Sequence, residues 1–159
     1  MRTIVGALAL AASSSVARAG PHAGGEDALA AFVGTEFREV RRLADLPDEV
    51  RKALGVDAYP MAEAGADWNP GCVTTKRRPN RRFILAGQSR DLWVVLFETG
   101  ARAHYCVVVT LRRAANGTFA EEGLWSTGTA ILPVTTVRGI KDAVREADRE
   151  DREWRERTQ

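Results

Sequence analysis

The chain has 159 residues, 45% of them hydrophobic and 28% charged, the proportions of one ordinary globular domain rather than a disordered or polytopic membrane protein. It carries 23 Lys and Arg against 21 Asp and Glu, but Arg2 and Arg18 fall in the first 19 residues, which hold no acid. Without that segment the balance is 21 against 21, and a neutral chain is not driven onto nucleic acid or anionic lipid by bulk charge.

Those first residues have the order of a secretory signal peptide. Arg2 supplies the positive start, Ile4 to Ala12 the apolar run, and Ala17-Arg18-Ala19 the small residues at the cleavage positions. This predicts an exported chain, periplasmic or extracellular, beginning at Gly20. No stretch approaches the length of a membrane span, so no membrane insertion is predicted. Residues 20–27 read as a flexible tail and residues 28–159 as a single globular domain. Pro21 has no amide proton to lose, which removes an amino-terminal copper site involving His22. Cys72 and Cys106 are the only cysteines, and an oxidising compartment pairs them. A disulfide between them would stabilise the fold by ~3–4 kcal/mol through the loop it closes.

In chain order, Ala28 to Val33 predicts a short helix ended by Gly34. Phe37, Val40 and Leu43 recur every three residues, which fits helix and strand alike. Pro47 as a first helical residue, Asp48 and Glu49 behind it, and Gly55 as a stop predict a second helix. Leu46, Val50 and Leu54 mark its buried face. From Val56 to Asn80 the periodicity is lost, and this segment reads as an ordered loop pinned by Cys72. Within it, Asn69-Pro70-Gly71 predicts a type II turn.

Strands follow. Arg82 to Ala86 is short and apolar. Leu92 to Phe97 is apolar at every position, which predicts a central strand covered on both faces. Tyr105 to Leu111 is similar. Asn116-Gly117 predicts a two-residue type I′ hairpin leading into a strand from about Thr118, and Trp125 to Leu132 reads as a last strand. Val137, Ile140, Val144, Ala147 and Trp154 then form a helical stripe. Residues 138–157 balance seven basic against seven acidic groups. Such a helix packs its first half and projects its second into water. Two heptads with Ala147 and Asp151 on the seam are short for a coiled coil, so the chain reads as a monomer, with a dimer through this helix as the alternative. The predicted fold is α+β: an antiparallel β-meander of four to five strands, a short N-terminal helical segment, and a C-terminal amphipathic helix packed on the sheet.

The chemical inventory is thin. His104 and Cys106 lie two apart on a strand and face the same way, the geometry of a Cys–His nucleophile, but a secreted cysteine with one available partner is normally oxidised. Asp67, Asp91 and Glu98 are carboxylates that a fold could bring together; Glu121 and Glu122 are adjacent and read as solvated. No catalytic set, metal set or cofactor-binding motif emerges. Lys76, Arg77, Arg78, Arg81 and Arg82 form a basic run suited to phosphate or sulfate, although Arg outnumbers Lys throughout and aromatics that would stack bases are missing nearby, so nucleic acid is not the expected partner. Trp68, beside the turn, is a recognition anchor if exposed and a sheet-edge packing residue if not; Trp93 reads as core. These features predict a non-catalytic binding or inhibitory module for a protein or small ligand. A secreted hydrolase, and polyanion or envelope binding through residues 76–82, are the alternatives.

Overall fold

A computed structural model describes residues 26–71, 77–100, 103–127 and 134–158. The residues that the sequence predicts to be a signal peptide and the start of a tail lie outside this range, as do Cys72 and Lys76. Helix α1 (Glu26–Gly34) takes in the last two residues of the expected tail, and is followed by strand β1 (Arg38–Val40) and a 3₁₀ turn (Leu43–Asp45). Next come helix α2 (Asp48–Ala53), strand β2 (Met61–Ala62), the strands β3 (Arg81–Gln88), β4 (Leu92–Thr99), β5 (Tyr105–Arg113) and β6 (Phe119–Thr127), and helix α3 (Val137–Thr158). The six strands form one sheet in the order β1-β3-β4-β5-β6, with β2 parallel to β3 at its start. β3 to β6 make the antiparallel meander that the sequence predicts.

The sheet is covered on both faces. On one, Trp93, Val95 and Phe97 of β4 join Leu46, Val50 and Leu54 of the α2 segment. On the other, Val94 and Leu96 join Phe32 of α1 and Val137, Ile140 and Val144 of α3. Both faces of β4 are therefore dry, which is why its sequence shows no polar alternation. Gly87 of β3 lies under the start of α3, where a Cβ would stand 2.9 Å from side-chain atoms of Phe37, Val94 and Val137. A close helix–sheet approach needs glycine there.

Caps behave as the local chemistry requires. Pro47 stands one position outside α2 as its N-cap, and its carbonyl accepts from Val50 and Arg51. At the other end Gly55 (φ 63°) and Val56 donate to Lys52 and Arg51, closing the helix with a left-handed glycine. The N-terminus of α3 is capped from two directions: Thr136 Oγ1 accepts from Gly139 N (3.1 Å), and Glu39 Oε1 of β1 accepts from Val137 N (3.0 Å).

Three local expectations are corrected. The Asn116-Gly117 hairpin is not a two-residue type I′ turn. Gly117 N donates to Ala114 O (2.9 Å) and Ala114 N to Thr118 O (2.8 Å), a three-residue loop with Gly117 left-handed at φ 83°. Gly71 is not in the positive-φ region that a type II turn demands. Its N–H instead donates to Asn69 Oδ1 at 3.1 Å, an Asx turn. Trp125 to Thr127 do not start a strand of their own; they continue β6 past a register shift opposite Thr110 and Leu111, and residues 128–133 lie outside the described set.

Candidate functional site

β4 places side chains alternately on the two faces, so Glu98 follows Val94 and Leu96 onto the α1/α3 face. It is 1% exposed, and a carboxylate there requires partners. Arg82, its cross-strand neighbour on β3, donates from Nε to Glu98 Oε2 at 2.6 Å, and its Nη2 lies 2.5 Å from the same oxygen. His104, just before β5, places Nε2 2.9 Å from Glu98 Oε1. Both carboxylate oxygens are thus engaged. A carboxylate only accepts, so in neutral His104 the proton sits on Nε2 and Nδ1 carries a lone pair. The two held groups reach the surface, with side chains 30% exposed at Arg82 and 35% at His104.

Trp68 roofs the cluster. Its ring meets the His104 ring edge-on at 5.2 Å between centroids, and the Arg82 guanidinium stands 5.1 Å from its centre. It is buried, so it packs at the sheet end rather than being displayed as an anchor. The segment carrying it is held by Asn69 N donating to Pro79 O (2.8 Å) and Asn69 Nδ2 to Asn80 Oδ1 (3.0 Å). Gly100 N donates to Asn80 O at 2.7 Å, and a Cβ at Gly100 would run into Asn69 O and Pro70. That glycine lets the loop close over the strand ends.

Cys106 pairs with Glu98 across the sheet and is buried. Burial, reinforced by the Glu98 carboxylate and opposed by Arg82, pushes its thiol up to about 11. It is a free thiol in the structure, and no disulfide is seen among the described residues, which do not include Cys72. No hydrogen bond joins His104 to Cys106 among the described residues; the Nε2 of His104 goes to Glu98 instead.

The basic run is divided by strand alternation. Arg81 turns to the face opposite Arg82, where it donates to the carbonyls of Leu54 (3.0 Å), Gly55 (3.2 Å) and Tyr59 and lies against the rings of Tyr59 and Phe97. Burial there lowers its pKa from the ordinary arginine value. Arg82 serves Glu98, and Arg78 lies 3.3 Å from Asp67. Arg77 is exposed. Asp67 and Glu98 serve different arginines and do not converge. Among the described residues, no group of three or more His, Cys, Asp or Glu side chains could hold a metal ion, and no helix is long and apolar enough to cross a membrane.

Sequence reasoning passed over Arg82–Glu98–His104 as a unit. The available signal was Glu98 itself, an acid directly continuing the apolar run Leu92 to Phe97. No family model, curated protein or solved structure matches the chain.

Proposed function

We propose that the chain is an exported, non-catalytic binding domain whose contact region is the sheet end where Arg82 and His104 stand over Glu98. The observation carrying this reading is the buried Glu98 carboxylate, both of whose oxygens are spent on holding two part-exposed polar groups. Groups fixed in advance lose less side-chain entropy on binding, which raises affinity for a matching ligand. Arg82 Nη1 offers a donor and His104 Nδ1 an acceptor. Together they suit a peptide or carboxamide group of a protein or small ligand.

Export belongs to the same proposal and rests on the signal-peptide pattern of residues 1–19. So does the Cys72–Cys106 disulfide. Gly71, the neighbour of Cys72, is tied to Asn69, and Asn69 packs against Gly100 at the end of the sheet that also carries Cys106.

One observation favours the hydrolytic alternative: a carboxylate-held imidazole is the arrangement of a general base. The Cys106 sulfur beside it is no nucleophile: in the disulfide it has no thiol, and when reduced it holds its proton up to about 11. The two readings separate in paired experiments on wild type, His104→Ala and Arg82→Gln. Chromogenic ester, phosphate and amide substrates should show no turnover that His104→Ala removes. Immobilised protein should retain a component of the host's exported fraction that either variant loses. Turnover abolished by His104→Ala would replace binding with hydrolysis, and a component retained equally by all three proteins would place the contact region elsewhere.

A further inference from the structure

We propose that the outer half of α3 is a self-association surface that pairs antiparallel with the same helix of a second copy of this chain. α3 is 22 residues long, about 33 Å at 1.5 Å per residue, and only its first half packs on the sheet. Val137, Ile140 and Val144 are buried there, whereas Arg152 to Thr158 are all exposed. Trp154 continues the same stripe at seven-residue spacing from the Ala147 position, yet it is 59% exposed. Of the described residues, only Trp154 and Tyr59 are large hydrophobics left in water. The Trp154 stripe has run off the domain that its first half helps to build.

The charges on either side of this stripe identify the occupant. With Val137 and Ile140 in seam positions, the seam continues through Val144, Ala147, Asp151, Trp154 and Thr158. If two such helices lie antiparallel, Trp154 packs beside the Asp151 position of the other copy, and Ala147 packs beside Thr158. The flanking positions then meet with opposite signs: exposed Glu150 faces exposed Arg157 of the other copy, and symmetry repeats the pair. A parallel arrangement would instead leave Glu150 and Arg157 of the two copies about two turns apart along the helices. Glu150 has no ion pair among the described residues, and Arg157 makes only a long one to Glu153, at 3.9 Å. Other ion pairs here run within the helix or to α1: Arg149 with Glu146, and Arg152 with Asp148 and Glu26. They keep the projecting turns helical without a covering layer.

Sedimentation velocity on the full folded protein, from micromolar to millimolar concentration, tests this. Wild type should pass from monomer to dimer, and Trp154→Ala should weaken the dimer at least tenfold with its thermal unfolding unchanged. Glu150→Arg and Arg157→Glu each set like charges against each other in their own dimers, so each should remain monomeric. Mixed together they restore every pair and should form a heterodimer with wild-type-like affinity. Circular dichroism confirms that α3 is intact in both. A wild type that stays monomeric to millimolar concentration would overturn the proposal. So would charge variants that dimerise as well as wild type, or an equimolar mixture of the two that remains monomeric.

Discussion

Glu98 occupies a position where β4 would otherwise continue as valine or leucine, and its burial organises Arg82, His104 and Trp68 around one carboxylate. The same burial acts on Cys106 across the strand pair, and it has a consequence for stability in alkali. In the reduced protein the thiol keeps its proton up to about 11 when folded, against an ordinary value of 9.0 when unfolded. Between these values the folded chain binds more protons than the unfolded one, so stability falls as pH rises. The contribution is fully present below pH 9.0 and lost through about 11, amounting to ~2–3 kcal/mol. Urea unfolding from pH 8 to 11 (roughly the span of the two ionisations) should show this loss in the reduced wild type but not in Cys106→Ala. Equal slopes in both proteins would contradict a protonated buried thiol. Individual residues were the least legible level of the sequence. Trp93 as core follows from its strand, and so does the shared face of His104 and Cys106. That Arg81 and Arg82 serve opposite faces follows from alternation once β3 is known to begin at Arg81. The partner of Glu98 does not, because it lies on a different strand and depends on register.

Elements were legible where a periodic pattern ran long enough to count. α3, α2, β4 and β5 declare themselves through spacing and caps. β1 and β2 do not, because they have three and two residues and borrow their conformation from pairing with β3. β6 was divided in two because Glu121-Glu122-Gly123 interrupts its alternation where the register against β5 shifts. β1 has a role that its length conceals. Its Glu39 accepts from Val137 N at 3.0 Å and pairs with Arg41 at 2.5 Å, so a short edge strand caps the longest helix. Glu39→Ala should therefore destabilise the protein by ~1 kcal/mol, the usual worth of a lost N-cap. Thr136 still serves Gly139 N in that variant, so the helix itself should persist. Thermal unfolding followed at the α3 helical signal checks this, and an unchanged midpoint would show that Thr136 alone suffices.

At the scale of the whole molecule, one sheet is packed by α2 on one face and by α1 with α3 on the other, and the buried Glu98 cluster lies at one end of the strands. The α+β class and the meander were legible because strand-forming runs and a terminal amphipathic helix leave few other arrangements. The site was not, since it needs β3, β4, the start of β5 and the Trp68 segment together, which are joined by pairing rather than by sequence proximity. On the proposed reading, the neutral charge balance beyond residue 19 leaves local geometry to provide the recognition. That geometry depends on one arrangement: Glu98 holding the His104 ring by Nε2, with the lone pair on Nδ1. Long-range ¹⁵N–¹H correlation of the imidazole nitrogens reads it directly at a pH where the ring is neutral. The prediction is a single Nε2–H tautomer in the wild type, with Nδ1 showing the shift of an unprotonated ring nitrogen. Rapidly averaged tautomers, or a proton residing on Nδ1, would contradict the site as described.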